Sequence, residues 1–131
     1  MSVIINVVDE LLTGELLTQF PLTMQSSRVT VREIIQSRVT QEVENYNKAR
    51  TGNFNGLIQP TKSEQMLNGF RMNPRNRINC PVQIEAALDA FERNGFLVLI
   101  NARQVESLDE EVLVTPDTKV AFVKLVPLVG G

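Results

Sequence analysis

Two glycines, Gly130 and Gly131, follow directly on a strand-like apolar run, Val120-Ala-Phe-Val-Lys-Leu-Val-Pro-Leu-Val129. Glycine has no Cβ, so it ends a packed element poorly and threads a narrow slot well. An apolar end stripped of side chains points to its terminal carboxylate as the working group, carried and displayed by the rest of the chain. Other chemistry is scarce. The 131 residues include no histidine and one cysteine, Cys80. That excludes imidazole-based triads, Cys–His pairs and His/Cys zinc sites, so no metal ligand set is expected. A single cysteine forms no internal disulfide, which fits a reducing compartment. Carboxylate pairs could still do acid–base work, but the expectation is that the chain is not itself an enzyme and binds no cofactor.

Three further groups have a chemical reading and a plainer one. Cys80 stands just before a helix start, where the dipole can lower a thiol pKa; with no histidine to activate it, it reads as a buried or capping residue. Arg71, Arg75 and Arg77 lie among asparagines and suit phosphate or an acidic partner, or form a solvated loop. The formal charge of −2 favours the loop and argues against nucleic-acid and anionic-membrane surfaces. Asp109-Glu110-Glu111 suits a basic groove on a partner or, equally well, a solvated turn.

Composition sets the frame that must position these residues. Hydrophobic residues make up 43% and charged residues 21%, the balance of one soluble globular domain over 1–131. No apolar run is long enough to span a bilayer and no charged segment precedes one, so the expected location is cytoplasmic. Val3 to Val8 reads as a strand bounded by Asp9-Glu10, and Glu15 to Thr23 as its hairpin partner, with Pro21 placing the second strand at an edge. Thr30-Val-Arg-Glu33 has capping-box spacing. Val31, Ile34, Ile35, Val39, Val43 and Tyr46 then form one helical stripe through residue 48. From Arg50 to Asn79 no periodicity survives, and so long a loop is unusual in a compact domain. Pro81 suits a helix's first turn, with Val82, Ile84, Ala87, Leu88 and Phe91 as its stripe and Gly95 as a left-handed C-cap. Phe96 to Ile100 reads as a central strand, 101–104 as a tight turn, and Val120 to Val126 as the last strand. Hairpin, crossover helix and strands give an α+β plan, a mixed sheet with helices on one face. The first and last strands then lie side by side and parallel, with the tail projecting from the sheet's centre.

Thr30-Val-Arg-Glu-Ile34, Val98-Leu-Ile-Asn-Ala-Arg-Gln-Val-Glu106 and the stretch from Pro116-Asp117 to Gly131 together resemble the ubiquitin-like β-grasp proteins. The likeness is to the bacterial ubiquitin-like proteins and to the sulfur carriers of molybdopterin and thiamin synthesis. It covers residues 1–48 and 96–131, with an insertion at 50–95 that includes the second helix, and a diglycine tail at 127–131. The resemblance implies that a partner activating enzyme uses ATP to adenylate Gly131, and that a partner cysteine takes the acyl group as a thioester. A conjugating enzyme then passes it to a target protein, and a deconjugating peptidase reverses the isopeptide bond. In the sulfur carriers the same carboxylate becomes a thiocarboxylate. The insertion suits a protein modifier, or an assembling ubiquitin-like protein, better than a minimal sulfur shuttle. A β-grasp interaction module with incidental glycines is the third reading.

Under this reading Gly131 and Gly130 are the activation site, and Val129 and Leu128 lie with them in the enzyme's slot. Phe122, Lys124 and Val126 alternate with Ala121, Val123 and Leu125. Lysine disfavours burial, so the second set is expected inside and Phe122 with Val126 outside, as a docking patch beside the tail. The alternative is that the extra helix or loop covers Phe122. Among Lys48, Lys62, Lys119 and Lys124, Lys62 in the loop is the most accessible candidate acceptor should chains form.

Overall fold

A computed structural model describes residues 2–49, Leu57 and 79–125. The first strand, β1 (Val3–Leu11), pairs antiparallel with β2 (Leu16–Met24). It runs three residues beyond its expected boundary because Asp9 continues the inward alternation of Ile5 and Val7 instead of ending it. The hairpin tip is a tight turn in which Gly14 takes φ +93° and its N–H reaches the Leu11 carbonyl at 2.8 Å. After the short β3 (Arg28–Thr30) comes α1 (Val31–Ala49), opened by the capping box. Glu33 N–H donates to Thr30 Oγ1, and Thr30 N–H to Glu33 Oε1, both at 3.2 Å.

The second helix, α2 (Cys80–Glu92), starts on Asn79, whose side chain accepts from the Val82 N–H at 3.0 Å. At its far end the left-handed residue is Asn94 (φ 61°), not Gly95. Gly95 is needed for closeness instead: its N–H meets the Ala90 carbonyl at 2.7 Å, and a Cβ there would sit 3.2 Å from that oxygen. Strands β4 (Phe96–Ile100), β5 (Arg103–Val105), β6 (Glu111–Leu113) and β7 (Lys119–Lys124) follow.

The chain is α+β, with a mixed five-stranded sheet in the order β2-β1-β7-β4-β5. β1 and β7 run parallel and β4 is antiparallel to β7, so β7, not β4, is the central strand. β2 lies at the edge, as Pro21 requires. β3 and β6 form a separate two-stranded sheet that the sequence pattern did not reveal. It positions Glu110 and Leu108, whose carbonyls accept from the N–H groups of Val31 and Arg32 at 3.0 Å and satisfy the start of α1.

Both helices cover one face of the sheet. Val31, Ile34, Ile35, Val39, Val43 and Tyr46 of α1 are buried with Ile5, Val7, Leu22 and Val120, and Ala87 and Phe91 of α2 complete the core over Phe96 and Val98. Leu57 is buried in the same cluster, so the chain beyond α1 returns to the core at that point.

Candidate functional site

The functional expectations converge on one end of the sheet, where β7 leads toward the tail. At that end Leu11 of β1 pairs with Lys124, and Phe96 of β4 pairs with Lys124 from the other side. The central strand is therefore held by a ladder on each flank up to its last residue. Gly131, Gly130, Val129, Leu128 and Val126 lie outside the described residues, as do Lys62, Arg71, Arg75 and Arg77.

Phe122 is described, and it corrects the expected docking patch. Its side chain is fully buried, at 0% exposure, on the helix-covered face. Its ring centroid lies 5.8 Å from that of Phe96, which in turn lies 5.9 Å from Phe91 of α2. Ala121 and Val123 point to the opposite face and are also buried. The parity failed because it was assigned from Lys124. At a strand end a lysine can run its methylene stem along the core rim and keep its ammonium in water, and Lys124 is only half-buried. A central strand is covered on both faces, so its lysine says little about which face is inside.

The opposite face explains its own coverage. Val8 pairs with Ala121, between the pairs Asn6–Lys119 and Glu10–Val123. Lys119 Nζ and Glu10 Oε2 approach to 3.8 Å, which requires the two side chains to lie along the sheet over Val8 and Ala121. Leu97 and Leu99 of β4 continue this strip and are half-buried.

Behind Phe122 lies a buried charge cluster that sequence reading passed over. Arg38 of α1 is 1% exposed and makes a two-pronged ion pair with Asp9 of β1, through Nη1 to Oδ1 and Nη2 to Oδ2 (2.7 Å for the latter). Thr18 Oγ1 donates to Asp9 Oδ2 at 3.0 Å, and Arg38 Nη2 also donates to Glu42 Oε2 at 3.2 Å. The guanidinium carbon sits 4.5 Å from the Phe122 ring centroid and 5.1 Å from that of Phe20, a geometry that favours a cation on an aromatic face. Burial by itself would push the Arg38 pKa down. Hydrogen bonding to Asp9 and the charges of Glu42 and Asp9 outweigh it and hold the pKa above its ordinary value. Glu42 has a second task, since its Oε1 accepts from the Leu57 N–H at 3.0 Å.

The signal for this cluster was in the spacing. Ile5, Val7 and Asp9 share one strand face, and Ile34, Arg38 and Glu42 share one helix face. Opposite charges at core positions of two elements mark a buried pair. Cys80 Sγ lies 3.8 Å from Thr40 Oγ1 between the helices and packs half-buried against the core, a packing role. Asp109 and Glu110 pair with Arg32 at 3.3 Å and Arg103 at 2.7 Å. Among the described residues no group of metal-ligating side chains comes together, and Asp9, Arg38 and Glu42 are committed to one another.

No protein-family model matches the chain, and no curated protein or solved structure matches it either.

Proposed function

We propose that the chain is a ubiquitin-like modifier of β-grasp architecture, whose Gly131 carboxylate is activated by a partner enzyme and joined to a target. The observation that supports this most is the position of β7. It is the central strand, parallel to β1 and antiparallel to β4, and it is the strand from which the chain continues toward Gly130-Gly131. A tail mounted on the best-held strand of the sheet presents its end at a fixed origin, and positioning supplies much of the rate in phosphoryl and acyl transfer.

In the proposed cycle a carboxylate oxygen of Gly131 attacks the α-phosphate of ATP and displaces pyrophosphate, giving an acyl-adenylate. A thiolate of the partner then displaces AMP and holds the chain as a thioester. An amine of the target, such as a lysine ammonium after loss of its proton, displaces the thiol and forms the amide. The absence of side chains at Gly130 and Gly131 leaves the carboxylate free to approach the α-phosphate in line, and leaves the acyl carbon open to addition by the thiolate and then the amine.

Intact-mass spectrometry after incubation with ATP and the activating enzyme tests the reading. A thioester or target adduct, absent in Gly131→Ala, is expected. Replacement of one terminal oxygen by sulfur would identify the chain as a sulfur carrier instead. Full biological activity of Gly131→Ala with no adduct of either kind would leave a β-grasp interaction module.

A further inference from the structure

The chain contains three Asn-Gly pairs, and one of them, Asn94-Gly95, lies among the described residues, in the junction between α2 and β4. In such a pair the asparagine amide is open to attack by its own backbone, because glycine puts no side chain beside the attacking nitrogen. Water and mild base are the only co-reactants. The Gly95 nitrogen loses its proton and bonds to Asn94 Cγ, the Cγ–Nδ2 bond breaks, and the amide nitrogen leaves as ammonia. Water then opens the resulting succinimide ring. Addition at Cγ restores the main chain and leaves an aspartate at position 94. Addition at the main-chain carbonyl leaves an isoaspartate, in which the chain runs on through Cγ and is one carbon longer.

The native junction blocks the first of these steps. Three successive N–H groups turn back onto the end of α2: Arg93 to the Asp89 carbonyl at 3.0 Å, Asn94 to that of Phe91 at 3.0 Å, and Gly95 to that of Ala90 at 2.7 Å. The nitrogen that must attack is thus the donor of the shortest of the three. Asn94 takes the left-handed φ of 61° that closes many helices, and the Gly95 Cα lies so close to Ala90 that a Cβ would stand 3.2 Å from its oxygen. The Gly95 peptide therefore has no room to turn toward Asn94 Cγ while this turn is closed. Glu92, Arg93 and Asn94 are all exposed, so water meets the amide once the helix end opens, and helix ends open more readily than the fold as a whole.

We propose that Asn94-Gly95 is a deamidation site gated by the α2–β4 junction: closed in the native fold, reacting when the end of α2 opens, and leaving an isoaspartate on which the junction no longer closes. The last clause follows from how short the link is. Residues 93–95 alone join the end of α2 at Glu92 to the start of β4 at Phe96. Both sides of the link are pinned, since Phe91 and Phe96 are buried with ring centroids 5.9 Å apart. A close-packed core does not absorb an added backbone carbon between two such anchors, whereas an aspartate leaves the chain length unchanged.

The test is peptide mapping by mass spectrometry of the full chain aged in mildly alkaline buffer, once folded and once in urea. Asn94 is expected to convert about 10-fold or more slowly in the folded chain, with isoaspartate among the products. Ala90→Gly weakens the last turn of α2 without altering the reacting atoms, and should speed conversion in the folded chain about 3-fold; circular dichroism shows that this variant is folded. The fraction carrying isoaspartate, separated by chromatography, should unfold at a lower temperature than Asn94→Asp. No conversion in urea overturns the site, and equal rates in the folded and unfolded chain overturn the gate. A rate in folded Ala90→Gly equal to the native one overturns opening at the junction. Equal thermal midpoints for the isoaspartate fraction and Asn94→Asp overturn the failure to close. All four outcomes are independent of the activation of Gly131.

Discussion

Phe122 and Arg38 show how much a single side chain decides here. Phe122 fills the space between Phe96, Arg38 and the sheet, so Phe122→Ala removes a buried ring and leaves a cavity. A loss of about 3–5 kcal/mol is expected, read by urea unfolding; an exposed docking residue would give almost none. Arg38→Met leaves Asp9 buried without its cation and should cost about 3–5 kcal/mol, whereas Arg38→Met with Asp9→Leu removes both charges and should recover most of it. A double-mutant cycle by chemical denaturation checks this, and additive costs would refute the coupling. The pH dependence has a definite sign. Because the folded pKa of Arg38 is raised, its contribution is complete below the ordinary guanidinium value and is lost only as pH rises through the still higher folded value. Unfolding curves from pH 7 to 10 should therefore show no loss attributable to this pair. Both residues were partly legible: Arg38 occupies a core position of the helical stripe, and Phe122 stands two residues from Lys124. Reading charge as exposure misplaced Phe122 and passed over Arg38, because a lysine at a strand end and an arginine with a carboxylate partner each escape that rule.

The elements themselves were easier to read, and physical locality explains why. The capping box at Thr30 and Glu33, the Pro81 start and the Phe96–Ile100 strand depend on residues within a few positions of one another, and each forms where expected. The β3–β6 pair depends on segments more than eighty residues apart, with three-residue strands too short to show a period. The same locality allows predictions for turns. In the β4–β5 hairpin Asn101 and Ala102 take φ of 50° and 71°. Asn101 is held there by its N–H to the Lys119 carbonyl at 2.9 Å and by its Oδ1, which accepts from the Lys119 N–H at 3.0 Å. Ala102 has only its strain, since a left-handed conformation costs an L-residue about 1–2 kcal/mol. Ala102→Gly should relieve part of that and raise stability by up to about 1 kcal/mol, seen as a higher thermal midpoint. A lower midpoint would mean that the glycine's greater unfolded-state entropy prevails.

At the scale of the whole molecule, the sheet has two edges, and their treatment bears on what partners can do. β5 is only three residues long, but β2 offers nine, a length that invites pairing with another chain. Its middle is closed. The Asn6 N–H donates to the Thr118 carbonyl on the β7 side at 3.1 Å, so Asn6 and its β2 partner Pro21 are a pair without mutual hydrogen bonds, and the polar groups of Pro21 face outward. Proline has no N–H to offer there, and its carbonyl already accepts from Gln41 Nε2 of α1 at 3.0 Å. The sequence showed the first half of this device, Pro21 in a strand. It did not show the second, because Gln41 comes within reach of Pro21 only once α1 has packed across the sheet. With both devices in place, the middle of the β2 edge is closed to strand addition. Pro21→Val supplies the missing donor and Gln41→Ala frees the carbonyl, so the double variant should present an uninterrupted edge and associate through it. Light scattering at increasing concentration should then show a larger mass for the double variant than for the native chain. Each single variant should fall between them, since one unsatisfied group remains blocked. Identical masses for all of them would place the barrier in the twist and the bulge at Leu17 instead.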